Sequence, residues 1–160
     1  MNFFQNSFIG KIIFTLLWSM VPVVELRGAI PIGVGLDLPL WVAILVSVVG
    51  NMIPVPFIIL FIRHIFKWMR KVSKTFARIV DKMEEKAEKH KDKVTKYGFW
   101  GLFILVAIPL PGTGAWTGAL VAAMMDLRLK TALPAIFLGV IGAAIIVSVV
   151  TYGVAAMLVF

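Results

Sequence analysis

The sequence predicts an all-α integral membrane protein of two inverted repeats, each a re-entrant helical hairpin followed by one spanning helix, joined by a basic amphipathic helix in the cytoplasm. Three observations predict it: an apolar composition, a repeat at an offset of 89 residues, and a single block of basic charge. Residues 1–160 are read as one membrane domain, with repeat halves at 8–62 and 98–160 and a cytoplasmic segment at 63–97.

Hydrophobic residues make up 61% of the chain and charged ones 15%, against roughly 45–50% and about 25% in soluble domains. No charge interrupts the chain from Leu40 to Ile62 or from Thr131 to Phe160. About 20 apolar helical residues match the hydrocarbon thickness of a bilayer, so both runs are predicted to span it. The net charge of +8 is concentrated, because residues 63–96 hold twelve of the sixteen basic residues and five of the eight acidic ones. A basic block directly after a span belongs in the cytoplasm, where anionic lipid headgroups attract it. No aromatic-rich RNA-binding motif or helix-turn-helix accompanies it, so nucleic acid is not an expected partner. The absence of cysteine excludes disulfides, thiol catalysis and thiolate metal sites, and no metal or other cofactor is expected. The apolar stretch from Ile12 to Val24 runs into Glu25 and Arg27 rather than a small-residue cleavage site, so it is read as part of the mature protein.

Shifting the chain by 89 residues places Pro22 on Pro111, Asp37 on Asp126, Leu38 on Leu127, Leu40 on Leu129, Ala43 on Ala132 and Gly50 on Gly139. Each half then has the same order. An apolar segment too short to span, Phe8 to Met20 or Phe99 to Ile108, meets a Pro/Gly interruption, Pro22 to Gly28 or Pro109 to Gly114. A second short segment follows, Ala29 to Leu36 or Ala115 to Met125, and an Asp-led corner opens the long span. Two short helices joined by breakers predict a hairpin that dips into the membrane and leaves on the same side; two kinked, tilted spans are the alternative. Irregular backbone at that depth is tolerated only inside protein or along a watery cavity. Interrupted segments at matching places in two halves point to a transporter binding site. One net crossing per half inverts the halves, placing both termini outside and the corner with Arg128 and Lys130 inside, beside residues 63–96.

Neither Gly nor Pro occurs from Phe57 to Tyr97, so helix is predicted to continue out of the membrane. Ile65, Met69, Val72, Phe76, Ile79 and Met83 recur at spacings of 4, 3, 4, 3 and 4. That makes one apolar stripe, suited to lipid headgroups, to the protein's own cytoplasmic end, or to a short coiled coil. Met83 to Lys96 is almost wholly charged and reads as a solvated extension or turn.

Glu25 and Arg27, with Gly28 and Pro31 beside them, fall at the first predicted tip. Ionisable groups at membrane depth are costly and mark functional pathways. Half-helix ends next to breakers favour an anion through their N–H groups and dipole. Arg27 offers a fork suited to phosphate or carboxylate, and Glu25 can carry a proton, since burial and a nearby arginine act on a carboxyl group in opposite senses. A Glu–Arg pair that only neutralises itself is the alternative. The second tip holds Pro109, Pro111, Gly112, Thr113, Gly114, Trp116 and Thr117 and no charge. It offers backbone donors, hydroxyls and an indole, and its glycines permit close approach; Gly114 and Gly118 are also spaced for helix packing alone. Asp37 and Asp126 read as helix N-caps, and with Arg128 they are secondary candidates.

Glu25-Leu26-Arg27-Gly28-Ala29-Ile30-Pro31 together with Pro109-Leu110-Pro111-Gly112-Thr113-Gly114-Ala115-Trp116-Thr117-Gly118-Ala119 resembles the small multidrug export protein family of bacteria and archaea. The resemblance covers essentially the whole chain. That family is distantly similar to the DedA-type membrane proteins, which have two re-entrant hairpins with acidic and arginine residues near their tips. Some of those are implicated in moving polyprenyl-phosphate or phospholipid carriers with proton coupling. This chain departs from them in lacking charge at its second tip. The expected protein is thus a multi-pass transporter or lipid flippase of a prokaryotic inner membrane, handling an amphiphilic, anionic, lipid-phosphate or drug-like substrate. Its expected partners are membrane lipids and that substrate, and its small size is compatible with a homodimer. A membrane enzyme on lipid phosphates and a scaffold that recruits partners through the basic helix are the alternatives. Both histidines, His64 and His90, lie in the basic stretch, away from the tips. With no P-loop, active transport would draw on an ion gradient or a partner.

Overall fold

A computed structural model describes residues 7–110 and 113–159. Pro111 and Gly112, assigned above to the second tip, lie outside the described residues. Among the described residues all regular structure is helical. In chain order the helices are α1 (Phe8–Met20), α2 (Glu25–Gly35), α3 (Leu40–Met52), α4 (Pro54–Val72), α5 (Lys74–Tyr97), α6 (Phe99–Ala107), α7 (Ala115–Met124) and α8 (Leu129–Val159).

The breakers act as their chemistry dictates. A residue before proline is pushed out of the helical region. Val21, before Pro22, has ψ 126°, and Ile108, before Pro109, has ψ 117°; α1 and α6 end there. The two Asp corners are built alike. Asp37 and Asp126 have φ of 62° and 53°, and Asp is among the few residues that visit this left-handed region. Leu38 N–H donates to the Gly33 carbonyl at 3.0 Å, and Leu127 N–H to that of Ala122 at 3.0 Å. Asp37 and Asp126 N–H likewise reach the Val34 and Ala123 carbonyls. Each corner is a Schellman motif closing the helix before it. The expectation of N-caps is therefore corrected: Pro39 precedes α3 with no side-chain cap, and the aspartates end α2 and α7 instead of starting the next helices.

Two helical stretches, Leu40–Val72 counted across a bend at Ile53 and Leu129–Gly153, are long and apolar enough to cross a membrane. The bend falls where Pro54 and Pro56 enter the first turn of α4, the place where a missing N–H costs no helical bond. Each stretch takes in a short helix through one glycine. A Cβ at Gly50 would press on Ser19 and come within 2.7 Å of the Leu16 carbonyl. One at Gly139 would meet Val106 at 2.6 Å and the Phe103 carbonyl at 2.9 Å. Thus α1 packs on α3 as α6 packs on α8, by close backbone approach of the kind that small residues permit between membrane helices. Alanines from α7 and α8, including Ala119, Ala122, Ala135 and Ala143, fill the centre with Ile136 and Val140.

The basic segment departs from expectation. It breaks at Ser73, which has φ −160° and ψ 147° and whose Oγ accepts from Thr75 N–H at 3.2 Å as the N-cap of α5. Arg70 then pairs with Asp81 at 2.9 Å and Glu84 at 2.6 Å, and α5 packs on α4, α6 and α7. The break at Ser73 interrupts the stripe: Met69 and Met83 pack against the core, while Ile65, Val72, Phe76 and Ile79 are exposed. The buried face is Val80, Ala87 and Val94, a seven-residue rhythm hidden among charges. Met83 to Lys96 is helix packed on the bundle, not a solvated extension.

Candidate functional site

The first tip is a tight turn with positive φ at Val23 (88°) and Glu25 (49°), conformations that cost a non-glycine residue about 1–3 kcal/mol unless its surroundings enforce them. At Glu25 it is the second tip that enforces it. Glu25, 5% exposed, starts α2, and its Oε1 accepts the Trp116 N–H at 3.1 Å. That N–H lies in the first turn of α7, where backbone donors have no helical partner and the dipole favours a negative charge. Gly114 makes the approach possible. A Cβ there would collide with Glu25 Oε2 and lie 2.7 Å from Cδ, and its φ of 136° is a glycine conformation.

Arg27, two residues further along α2, reaches the other arm. Its guanidinium donates to the Leu110 carbonyl, to Thr113 Oγ1 at 3.1 Å and, more distantly, to the Ile108 carbonyl at 3.4 Å. Ile108 caps α6, so the cation meets the negative end of that helix. Trp116 returns the contact, its Nε1 donating to the Met20 carbonyl at the end of α1 at 3.1 Å. The two charges of the first tip therefore complement the two opposed helix ends of the second. No ion pair joins Glu25 to Arg27 among the described residues; the two act on each other through space while each hydrogen-bonds to the second tip.

Beside this junction lies a cavity of about 520 Å³. Pro22, Val23, Glu25 and Arg27 come from the first tip, Pro109, Thr113, Trp116, Thr117 and Leu120 from the second hairpin, Ile58 and Ile62 from α4, and Met83 and Lys86 from α5. Of the residues expected at the site, Glu25, Arg27, Pro109, Thr113, Trp116 and Thr117 line it, and Gly114 touches Glu25. Gly28 packs toward Val24, and Pro31 is an exposed position within α2. Neither lines the cavity. Asp37 and Asp126 pair at the corners with Lys11 (3.7 Å) and Arg63 (2.6 Å), and Arg128 is exposed there. The sequence reading missed Ile58, Ile62, Met83 and Lys86. The seven-residue spacing of Val80, Ala87 and Val94 was the available signal that α5 has an inward face.

A cavity between the two tips, flanked by helical stretches long and apolar enough to span, fits a helical membrane protein. The chain belongs to the family described as "Putative small multi-drug export protein", which residues 25–146 match, from Glu25 through the second tip into α8. No curated protein and no solved structure matches the chain.

Proposed function

We propose that the protein is a proton-coupled transporter that exports amphiphilic anions through the cavity between its two tips. The observation that carries this reading is the docking of Glu25 and Arg27 onto the helix ends of the second tip, at the cavity wall. The cavity is amphiphilic: Ile58, Ile62, Leu120 and Met83 offer apolar surface, while Arg27, Lys86 and Glu25 leave one net positive charge. The family description as an export protein supports transport.

The matched corners and the matched glycine contacts support two repeats, inverted in the membrane, with each hairpin re-entrant. Exposed Trp41 near the first corner and exposed Trp68, Tyr97 and Trp100 near the basic segment fit the aromatic belts of two interfaces. The protein is then multi-pass in a prokaryotic inner membrane, and the wall formed by α5 faces the cytoplasm.

Glu25 couples the proton to the movement. Ionised, it is drawn to the start of α7, an attraction of about 0.3–1 kcal/mol at a surface and up to about 2 kcal/mol when partly buried. Protonation removes that attraction and changes the closed population about 5–30-fold per 1–2 kcal/mol lost. The charged groups acting on Glu25 are Arg27 on its own helix and Lys86 on α5. The test is efflux of a fluorescent alkyl phosphate from liposomes under an imposed pH gradient. Wild-type efflux should follow the gradient, and Glu25→Gln should bind the probe without responding to it. Normal gradient-driven efflux by a well-folded Glu25→Gln protein would end the proposal.

A further inference from the structure

We infer that Lys86, on the basic helix α5, is the residue that receives the anionic head of the ligand, so the cavity takes an amphiphile with a phosphate-like head and an aliphatic or aromatic body. This rests on the proposed binding cavity but not on transport.

The polar groups at the cavity are already committed, with one exception. Glu25 is held by the start of α7, and Arg27 by Thr113 and the carbonyls of the second tip. The Thr113 hydroxyl has one hydrogen to donate, to the carbonyl of either Ile108 (2.8 Å) or Leu110 (2.9 Å). Lys86 makes no hydrogen bond or ion pair with another described residue, and it acts on Glu25 only through space. On the same helix Lys89 pairs with Glu85 at 3.0 Å and Lys91 with Glu88 at 3.1 Å, and Lys82, which has no ion pair among the described residues, lies outside the cavity. An ammonium is a flexible donor of three hydrogen bonds and suits a phosphate as a point charge.

Charge sign excludes the opposite ligand class. A cationic amphiphile would have to approach two cations, Arg27 and Lys86, to reach a carboxylate already hydrogen-bonded and closed in by Gly114. An anion at Lys86 meets an unpaired cation, and its chain lies along Ile58, Ile62 and Leu120. The position of α5 makes this possible, because the Val80, Ala87 and Val94 face seats the helix and Lys86 lies beside Ala87. The basic segment is thereby part of the binding site as well as a topology signal.

The experiment measures binding of a fluorescent dodecyl phosphate to the purified full-length protein in a non-ionic detergent. Probes with the same chain and a neutral hydroxyl or a trimethylammonium head are measured beside it, and inorganic phosphate is the competitor. Lys86→Gln should weaken the alkyl phosphate about 2–5-fold, the scale of an exposed ion pair, and leave the neutral probe unchanged. Lys86→Arg should restore most of the affinity. Lys82→Gln, on the same helix and outside the cavity, should change nothing. Competition by millimolar inorganic phosphate would show that the head alone suffices as ligand, and its failure that the chain is required; the Lys86 assignment stands in both cases. Unchanged alkyl phosphate affinity in a Lys86→Gln protein of wild-type thermal stability would overturn it, as would an equal loss in Lys82→Gln. A wild-type protein that binds through Lys86 but moves no probe across liposomes would refute transport and leave this inference standing.

Discussion

The two corners and the two tips of this protein follow opposite rules. At the corners, Asp37 and Asp126 take the same backbone conformation, close the preceding helix with the same pair of hydrogen bonds, and carry a basic partner on the surface. Either corner is a copy of the other. The tips are not copies. The first holds a carboxylate and a guanidinium; the second holds glycine, threonine, tryptophan and bare helix ends. Symmetry is kept where a chain must only turn, and broken where two surfaces must fit. The absence of charge at the second tip is the counterpart of the charge at the first.

That contrast implies a large penalty at the tips and a small one at the corners. The greatest effect is expected from Gly114→Ala, which forces a methyl into the Glu25 carboxylate and a side chain onto φ 136°. Strain and overpacking together should cost about 3 kcal/mol or more, read as a fall in thermal unfolding temperature in detergent. Adding Glu25→Ala should recover part of the loss, because the collision is specific to that side chain. An additive double variant would show that the two tips do not touch.

Arg27→Lys comes next. It keeps the charge but loses the rigid fork whose two nitrogens reach the Leu110 carbonyl and the Thr113 hydroxyl separately. A loss of about 1.5–3 kcal/mol is expected from a hydrogen bond to a charged group. Stability equal to wild type would mean that the fork of donors is unnecessary.

The smallest effects belong to the corners. Asp37→Asn and Asp126→Asn retain a residue that accepts left-handed backbone and remove only exposed ion pairs, worth about 0–1 kcal/mol. Both should unfold near the wild-type temperature and transport normally. A transport defect at either would return the aspartates to the functional site.

Much of this was legible in the sequence because local chemistry set it. Prolines fixed the ends of α1 and α6, and long uncharged runs marked the apolar stretches of Leu40–Val72 and Leu129–Gly153. Glu25, Arg27, Thr113 and Trp116 stood out because charge and breakers are conspicuous in apolar surroundings. What the sequence did not reveal depends on contacts distant along the chain. Ser73 looks like any polar residue in a charged helix until Arg70 reaches Asp81 and Glu84, and a stripe read through such a break changes rotational phase. Lys86 is one lysine among many until α5 folds back. The corner aspartates were misread because Asp before a helix suits an N-cap as well as a left-handed turn, and only the backbone torsions decide.

The most direct test of tip-to-tip docking uses the lack of cysteine in the chain. Val23→Cys and Leu120→Cys place one thiol on the first tip and one on α7, facing the same cavity. A short bifunctional thiol reagent should join them in liposomes at equal pH on both sides. Imposing an inward proton gradient should lower the yield with Glu25 present, but not in the same pair carrying Glu25→Gln. No crosslinking under either condition, or a yield that follows the gradient equally well without the Glu25 carboxylate, would contradict a junction held and released by that side chain.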